Sequence, residues 1–171
     1  MRVAVTGTPG TGKTSATNAL ETDLDVVHLN DVIKQEQLYT DTDENRDSVI
    51  ADINEIAERY TDQTNLIFES HLSHYLPVDR VIVLRAHPET IEKRLEQREE
   101  PQATIKENAR SEALDVILSE AVDQHGLDSV YEITTTNRTP EEVAGEIQAV
   151  IEENRSPNAG KVSYLDYIDD I

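Results

Sequence analysis

Hydrophobic and polar positions along this chain follow two different periods, and their alternation predicts strands interleaved with helices. Short apolar runs rich in β-branched residues, bounded by glycine or polar residues, are typical of buried strands. Such runs are RVAVT (2–6), VVHL (26–29), NLIFE (65–69), RVIVL (80–84) and SVYEIT (129–134). Because these runs are mostly apolar, the strands are expected to be covered on both faces.

Between these runs, apolar residues recur at helical spacing and predict amphipathic helices. The predicted helices cover about residues 13–20, 30–36, 48–60, 88–98, 105–124 and 139–154. The last of them starts with a capping box formed by Thr139, Pro140 and Glu142. The polar segment 39–47 predicts a turn, and residues 156–171 predict a linker followed by a C-terminal tail.

The regular alternation of strands and helices predicts a three-layer α/β fold, in which a parallel five-stranded sheet carries helices on both faces. A length of 171 residues fits a single domain. The chain has no cysteine, which excludes disulfides and thiolate metal sites. Its first apolar run is short and ends at glycine, and no run is long enough to span a membrane. We therefore expect a cytoplasmic protein with no membrane partner.

Acidic residues dominate the charge of the chain. Asp and Glu number 35 against 15 Lys and Arg, which gives a formal net charge of -20. Self-repulsion on this scale destabilises a compact state in dilute salt, whereas molar salt shortens the Debye length to about 3 Å and screens it. We therefore expect a halophilic protein; an ordinary acidic protein, or a disordered one, is the alternative. Direct sequence-specific nucleic-acid binding is not expected, because the phosphates would be repelled.

Residues 7–14 read GTPGTGKT and match the pattern G-x-x-x-x-G-K-[ST] at every fixed position, between a predicted strand and a predicted helix. Glycines let the backbone curl around a phosphate with its N–H groups pointing inward, and the following helix presents further N–H groups. Lys13 is expected to reach the β- and γ-phosphates of ATP, and the Thr14 hydroxyl to bind Mg²⁺. The motif therefore predicts a P-loop NTPase fold that uses ATP and Mg²⁺.

Magnesium also needs an acidic side chain near the phosphates. Glu69 ends a predicted strand, and the carboxyl ends of strands are where open α/β sheets bind ligands. Asp31, after the second predicted strand, is a further candidate. The alternative for both is an exposed acid with no ligand, since the chain is crowded with acids.

Arginines are candidates for function because phosphoryl transfer depends on positioning and positive charge. Arg94 and Arg98 lie four residues apart on one helix face, and we interpret them as catalytic clamps on the transferring phosphate. Arg46 lies in the polar stretch between the second and third strands, where it could hold an acceptor phosphate. Arg85 directly follows a strand and is expected to face the substrate cleft. Pairing with surface acids is the alternative for Arg94, Arg98 and Arg46.

His71 and His74 raise the question of a metal site. With no cysteine and only one flanking acid, a loop histidine that touches substrate or orders water is the favoured interpretation, and a structural role is the alternative. Kinase chemistry on an ionised acceptor phosphate needs no general base. A histidine that positions water would instead suit an ATPase.

Taken in order, the segments GTPGTGKT, ESH, LPVDRVIVLR, RLEQR, IKENARSE and GKVSYL extend over nearly the whole chain. This ordered set resembles the archaeal and eukaryotic adenylate kinase isoenzyme-six family, whose members are also described as ribosome-maturation ATPases. The resemblance implies a monophosphate-binding flap at residues 30–53, beginning with the substrate-binding candidate Asn30, and a lid at residues 98–108.

The resemblance also implies roles for individual residues. Arg98 corresponds to a nucleotide-contacting arginine at the start of the lid, and Asn137 falls in the loop against the adenine. Glu69 and His71 correspond to an acid-x-histidine motif on the magnesium strand. The positions that contact the ATP phosphates correspond to Gly10, Thr11, Gly12, Lys13, Thr14 and Ser15.

The implied activity is phosphate transfer from ATP to AMP or another nucleoside monophosphate, together with ATP hydrolysis. The implied partners are a basic small-subunit ribosomal protein and the pre-ribosomal small subunit, whose rRNA such proteins help to mature. An acidic surface suits a basic partner by electrostatic complementarity. Two alternatives stay open: an ATPase-driven ribosome assembly factor with little kinase activity, and a kinase of a small non-nucleotide acceptor.

Overall fold

The computed structural model describes residues 1–43 and 48–169. Their strands, in chain order, are β1 (Arg2–Thr6), β2 (Asp25–His28), β3 (Tyr39–Asp43), β4 (Ser48–Ala51), β5 (Leu66–Glu69), β6 (Arg80–Arg85) and β7 (Val130–Thr134). A central five-stranded sheet has the order β2-β5-β1-β6-β7, and all its neighbouring strands run parallel. Strands β3 and β4 form a separate antiparallel hairpin.

Six of the helices in the described part of the chain lie between strands, and two follow the last strand. The helices are α1 (Lys13–Asn18), α2 (Leu29–Glu36), α3 (Ile53–Arg59), α4 (Pro88–Glu96), α5 (Gln102–Ala113), α6 (Val116–His125), α7 (Pro140–Ile151) and α8 (Asp166–Asp169). The predicted capping box at the start of α7 is confirmed, since the Thr139 side chain accepts from the Glu142 N–H and the Glu142 side chain accepts from the Thr139 N–H. No helix within the described ranges combines the length and apolar character that a membrane crossing requires.

Alternate residues of the central strand pack against different helices. Val3 and Val5 of β1 belong to one core cluster with Ile147 of α7. Ala4, between them, belongs to another cluster with Leu118 of α6. Because successive side chains of a strand point to opposite faces, the sheet is covered on both sides. The predicted three-layer α/β fold with a parallel five-stranded sheet is confirmed.

Two predicted segments around the hairpin were wrong. The segment 39–47, predicted as a turn, contributes β3, and residues 48–51 of the predicted helix 48–60 form β4 instead. Val49 and Ile50 are β-branched, which lowers their helix propensity, and they pair with β3. The helix begins only after Asp52, whose side chain accepts from the Glu55 N–H at 3.0 Å as an N-cap.

The long helix predicted at 105–124 is divided into α5 and α6. The break lies at Asp115, whose backbone adopts the left-handed conformation with φ of 55°. The Asp115 carboxylate accepts a hydrogen bond from Arg85 of β6, so a contact distant in sequence stabilises the break. The spacing of apolar residues in the sequence carries no information about such a contact, so the break could not be predicted from it.

The parallel strands bring several candidate residues to one edge of the sheet. The phosphate-loop motif follows β1, Glu69 ends β5, and His28 ends β2. Carboxyl ends of parallel strands share an edge, where open α/β sheets bind ligands. The fold therefore gathers groups that are far apart in the chain.

Candidate functional site

The loop between β1 and α1 has a backbone shape that requires glycine at both ends. Gly7 has φ of 144°, and a Cβ atom there would lie 2.5 Å from the carbonyl oxygen of Leu84. Gly12 has φ of 90°, a left-handed conformation that residues with a Cβ rarely adopt. The loop therefore passes directly against β6, with a strand before it and a helix after it as the motif predicts.

Lys13 is buried behind this loop. Its Nζ donates to the carbonyl oxygens of Gly7 at 2.8 Å and Thr8 at 3.2 Å. Burial lowers the pKa of Lys13 to about 8, an effect that Glu69 partly opposes and Arg98 reinforces. The ammonium group is thus held by the loop's own carbonyls, beside the place where the motif would hold phosphates.

Glu69 and Thr14 form the part of the site that fits Mg²⁺. The Thr14 hydroxyl donates to Glu69 Oε2 at 3.4 Å, and His28 Nδ1 lies 2.7 Å from the same oxygen. A hydroxyl and a carboxylate are the oxygen ligands that Mg²⁺ prefers, and Mg²⁺ commonly uses one or two carboxylates together with substrate phosphates. Asp31, the second acidic candidate, lies exposed in the first turn of α2.

Arg94 reaches from α4 to the phosphate loop. Its Nη1 donates to the Gly10 carbonyl at 3.0 Å and to the Thr135 hydroxyl at 3.2 Å, and its Nη2 donates to the Thr135 carbonyl at 3.2 Å. Burial and the nearby positive charge of Arg98 lower the pKa of Arg94. Two guanidinium groups that raise each other's electrostatic energy form a place where an anion is stabilised.

Arg94 and Arg98 line a cavity of about 440 Å³ together with the phosphate loop. This volume is typical of a small-molecule site. Its walls are Thr11, Gly12, Ser15, Ala16, Arg94, Gln97, Arg98, Thr135, Arg138, Pro140 and Val143. Sequence reasoning missed Gln97, Thr135 and Arg138; the position of Thr135 just after β7, at the carboxyl edge, was the signal that could have identified it.

The remaining candidates do not line this cavity. Asn137 is exposed beside the wall residue Arg138 and has φ of 56°. Asn30, in the first turn of α2, accepts from the Ser70 hydroxyl at 2.8 Å, directly after β5. His71 follows in the same loop, and burial together with the charge of Lys13 lowers its pKa to about 4. His71 is therefore neutral at pH 7 and lies within electrostatic reach of Lys13.

The expectation that Arg85 faces the substrate cleft is wrong. Its side chain is 1% exposed and its guanidinium pairs with the carboxylates of Glu112, Glu132 and Asp115. These partners lie on other elements, and they enclose the guanidinium completely. Arg46, the other candidate for substrate binding, lies outside the described residues.

Known proteins resemble this chain over most or all of its length. The AAA domain family matches residues 3–115. A protein of Natronomonas pharaonis with the name "Putative adenylate kinase" is 51% identical over 98% of this chain and 100% of its own length. A Halobacterium salinarum protein of the same name is 52% identical over 98% of this chain and 100% of its own length.

Solved structures resemble the fold at low sequence identity. Shikimate kinase from Bacteroides thetaiotaomicron superposes with a TM-score of 0.54 and 12% identity, over 89% of this chain and 98% of that one. This likeness shows the fold alone. The full-length identity to the archaeal relatives is stronger evidence of family membership. The match to the AAA domain supports it, because it covers the part of the chain that carries the phosphate loop. The chain belongs to the AAA domain family of P-loop proteins, and within it to the archaeal group that bears the adenylate kinase name.

Proposed function

We propose that the protein is a nucleoside-monophosphate kinase that transfers the γ-phosphate of ATP to AMP. The observation that carries this proposal is that Arg94 and Arg98 line the same cavity as Thr11, Gly12 and Ser15 of the phosphate loop. Catalysis of phosphoryl transfer rests almost entirely on positioning and positive charge. The adenylate kinase name of the full-length relatives supports the same activity.

The roles of the side chains follow from their positions. Lys13 exchanges its contacts with the Gly7 and Thr8 carbonyls for oxygens of the β- and γ-phosphates. Arg94 and Arg98 stabilise the negative charge on the transferring phosphoryl group. Thr14 and Glu69 would hold Mg²⁺, which when bound would neutralise charge on the phosphate oxygens. The acceptor phosphate is already ionised, so no side chain has to remove a proton from it.

The acceptor segment and the lid are proposed from the family resemblance. Residues 30–53, the proposed monophosphate-binding flap, comprise most of α2 and the β3–β4 hairpin. Asn30 begins this segment at the sheet edge that carries Glu69. The proposed lid, residues 98–108, comprises Arg98, a short connection and the first turns of α5. Closure of these two segments would exclude water from the transferring phosphate.

The test of this proposal is a turnover assay in high salt with ATP and AMP, CMP, UMP, GMP or no acceptor. We expect ADP formation to depend on a monophosphate, with AMP the best acceptor. Phosphate release from ATP alone, with no acceleration by any monophosphate, would replace the kinase with an ATPase. Phosphorylation of a non-nucleotide acceptor would identify a different kinase on the same fold.

ATP hydrolysis is a second activity that one observation favours. Burial and the charge of Lys13 lower the pKa of His71 to about 4, so its neutral imidazole would be available to order a water molecule if the phosphates bind at Lys13. We extend the proposal to hydrolysis that accompanies kinase turnover. Removing the imidazole in His71→Ala should then lower phosphate release more than AMP phosphorylation.

A role in maturation of the small ribosomal subunit is the broader form of the same proposal. The net charge of -20 suits a basic ribosomal protein as partner. A pull-down with a purified basic small-subunit protein, repeated at rising KCl, tests it. We expect binding to weaken as KCl rises, because salt screens the attraction between opposite charges. Binding that does not depend on KCl, or is equally strong for any basic protein, would remove this role.

The lowered pKa of Lys13 predicts a pH dependence for ATP. Below pH 8 the ammonium carries its charge, and above pH 8 it is progressively lost from the free protein. We expect kcat/KM for ATP to be level at neutral pH and to fall above pH 8, whereas kcat falls less because bound phosphate retains the proton. His71 stays neutral over this range and does not contribute.

The matched variant for this measurement is Lys13→Arg, because arginine remains protonated throughout. Its kcat/KM is expected to be lower at all pH values but without the decline above pH 8. A wild-type profile that stays level well beyond pH 8 would contradict the assignment of Lys13 as the titrating group.

The net charge predicts a strong response to salt. The melting temperature is expected to rise as KCl is increased towards about 1 M, where the Debye length is near 3 Å. The rise should be much smaller close to pH 4.4, the isoelectric point, where self-repulsion is weak. A melting temperature that falls with KCl at neutral pH would exclude halophilic behaviour.

A further inference from the structure

A buried carboxylate that the proposed chemistry does not use touches the phosphate loop. Glu112, in the last turn of α5, is 3% exposed. Its Oε2 accepts from the hydroxyl of Thr8, the second residue of the loop, at 2.6 Å. Its Oε1 accepts from Arg85 Nε at 2.8 Å and from the Ala86 N–H at 3.1 Å. Both oxygens are thus fixed, one by the loop and one by β6.

The backbone carbonyl of Thr8 accepts several of the hydrogen bonds that stabilise the loop. This oxygen accepts from the Thr11 hydroxyl at 2.8 Å, from the Thr11 N–H at 3.1 Å and from Lys13 Nζ at 3.2 Å. Thr8 is 1% exposed, so its hydroxyl has no access to water if Glu112 is lost. A shift of Thr8 would therefore also move the neighbouring peptide groups of the loop, which would face a bound phosphate.

Arg85, which holds Glu112 from the side opposite Thr8, is also connected to the C-terminal tail. Arg85 Nη1 donates to Glu132 at 2.6 Å, and the other carboxylate oxygen of Glu132 accepts from the N–H of Lys161 at 2.7 Å. The ring of Tyr164 lies 5.5 Å from the Arg85 guanidinium carbon. One arginine thus connects the tail, β7 and α5 behind the phosphate loop.

We infer that Glu112 is a positioning residue of the phosphate loop, because its carboxylate, held by Arg85, fixes Thr8 in the conformation that receives ATP. This inference rests on the proposed function, since it assigns the loop to ATP. It also joins the loop to α5, whose first turns belong to the proposed lid. A hydrogen bond to a buried ionised group is stronger than one between neutral groups, so a single contact of this kind can hold the loop.

The test removes the hydroxyl without changing the shape of the side chain. Thr8→Val is expected to weaken ATP binding about 10-fold, as the loss of a hydrogen bond to a charged group predicts. Thr8→Ser keeps the hydroxyl and should restore most of the affinity. The KM for AMP should stay at the wild-type value in both, because the proposed acceptor segment, residues 30–53, does not include this loop. A purely structural role would not separate the two substrates in this way.

Thr17→Val is the matched control. Thr17 is also a buried threonine, but its hydroxyl donates only to carbonyls of Lys13 and Thr14 on its own helix. The ATP affinity of the Thr17→Val variant should remain within about twofold of the wild type. ATP affinity is measured by calorimetry with a non-hydrolysable analogue, at a temperature where circular dichroism shows every variant folded.

A double-variant cycle identifies the partner. Glu112→Gln should weaken ATP binding, because it removes the charge from the acceptor of the Thr8 hydroxyl. Thr8→Val with Glu112→Gln should bind about as weakly as Thr8→Val alone, because both changes act on the same contact. Fully additive losses, or a Thr8→Val protein with wild-type ATP affinity, would overturn the inference. A wild-type protein that binds ATP but phosphorylates no monophosphate would overturn the kinase proposal and leave this inference standing. A wild-type protein with no affinity for ATP would overturn both.

Discussion

Replacing Lys13 with alanine is expected to lower the rate of phosphoryl transfer about 10²–10³-fold, the usual cost of removing one preorganised electrostatic group from a catalytic site. The reason is that Lys13 is buried behind the phosphate loop, with its ammonium within reach of the positions that bound phosphates would take. A buried charge interacts more strongly with phosphate than an exposed one does. The measurement is ADP formation from ATP and AMP in high salt, with ATP binding followed separately.

Lys93→Ala is the matched control for this change. Lys93 is an exposed lysine on α4, next to Arg94 in sequence. The Lys93→Ala substitution removes the same net charge from the protein without changing the loop. The activity of this variant should stay within about twofold of the wild type. Equal activity of the Lys13 and Lys93 variants would show that ATP is not bound at residues 7–14.

Replacing Arg85 with alanine is expected to reduce the free energy of unfolding by about 3–5 kcal/mol, the usual cost of removing one partner from a buried ion pair. Glu112 and Glu132 are nearly inaccessible to water and would lose their common cation. Since small domains are stable by only about 5–15 kcal/mol, much of the population is expected to unfold at low salt. Denaturant titration in matched KCl measures the effect.

Arg59→Ala provides the comparison for this loss of stability. Arg59 pairs with Glu36 at 2.6 Å, but the two side chains are 46% and 36% exposed. Such surface pairs contribute about 0–1 kcal/mol, so the variant should melt close to the wild type. If Arg85→Ala were as stable as Arg59→Ala yet lost affinity for AMP, Arg85 would be a substrate residue after all.

The positions of the candidate residues were predictable to different degrees. Lys13, Arg94 and Arg98 could be proposed from the sequence because a motif and a helical spacing are local patterns. Thr135 and Arg138 were missed because they follow a strand in a polar segment with no motif, and only the neighbouring position of β7 brings them to the cavity. The sequence placed Arg85 correctly at the end of a strand, but it did not predict the carboxylates with which Arg85 pairs.

Errors in the fold prediction have the same origin. The β3–β4 hairpin was read as turn and helix because its apolar residues also fit helical spacing. The break between α5 and α6 was invisible because the backbone of Asp115 is stabilised by Arg85, 30 residues away. In both places a contact with another element, the neighbouring strand β3 for β4 and the distant strand β6 for Asp115, decided the backbone conformation. Local helix propensity contributes at most about 1 kcal/mol per residue other than proline.

By itself the sequence determined the order of the five strands of the central sheet and most of the helices between them, the parallel three-layer fold and the phosphate-loop motif. These features depend on local periodicity and on a short contiguous pattern, so nearby residues suffice to specify them. Only the tertiary structure decided the partners of the buried polar groups, such as the contact between Thr8 and Glu112 across 104 positions. Buried charges and hydroxyls must be paired, and which partner is within reach is set by the order of the strands in the sheet.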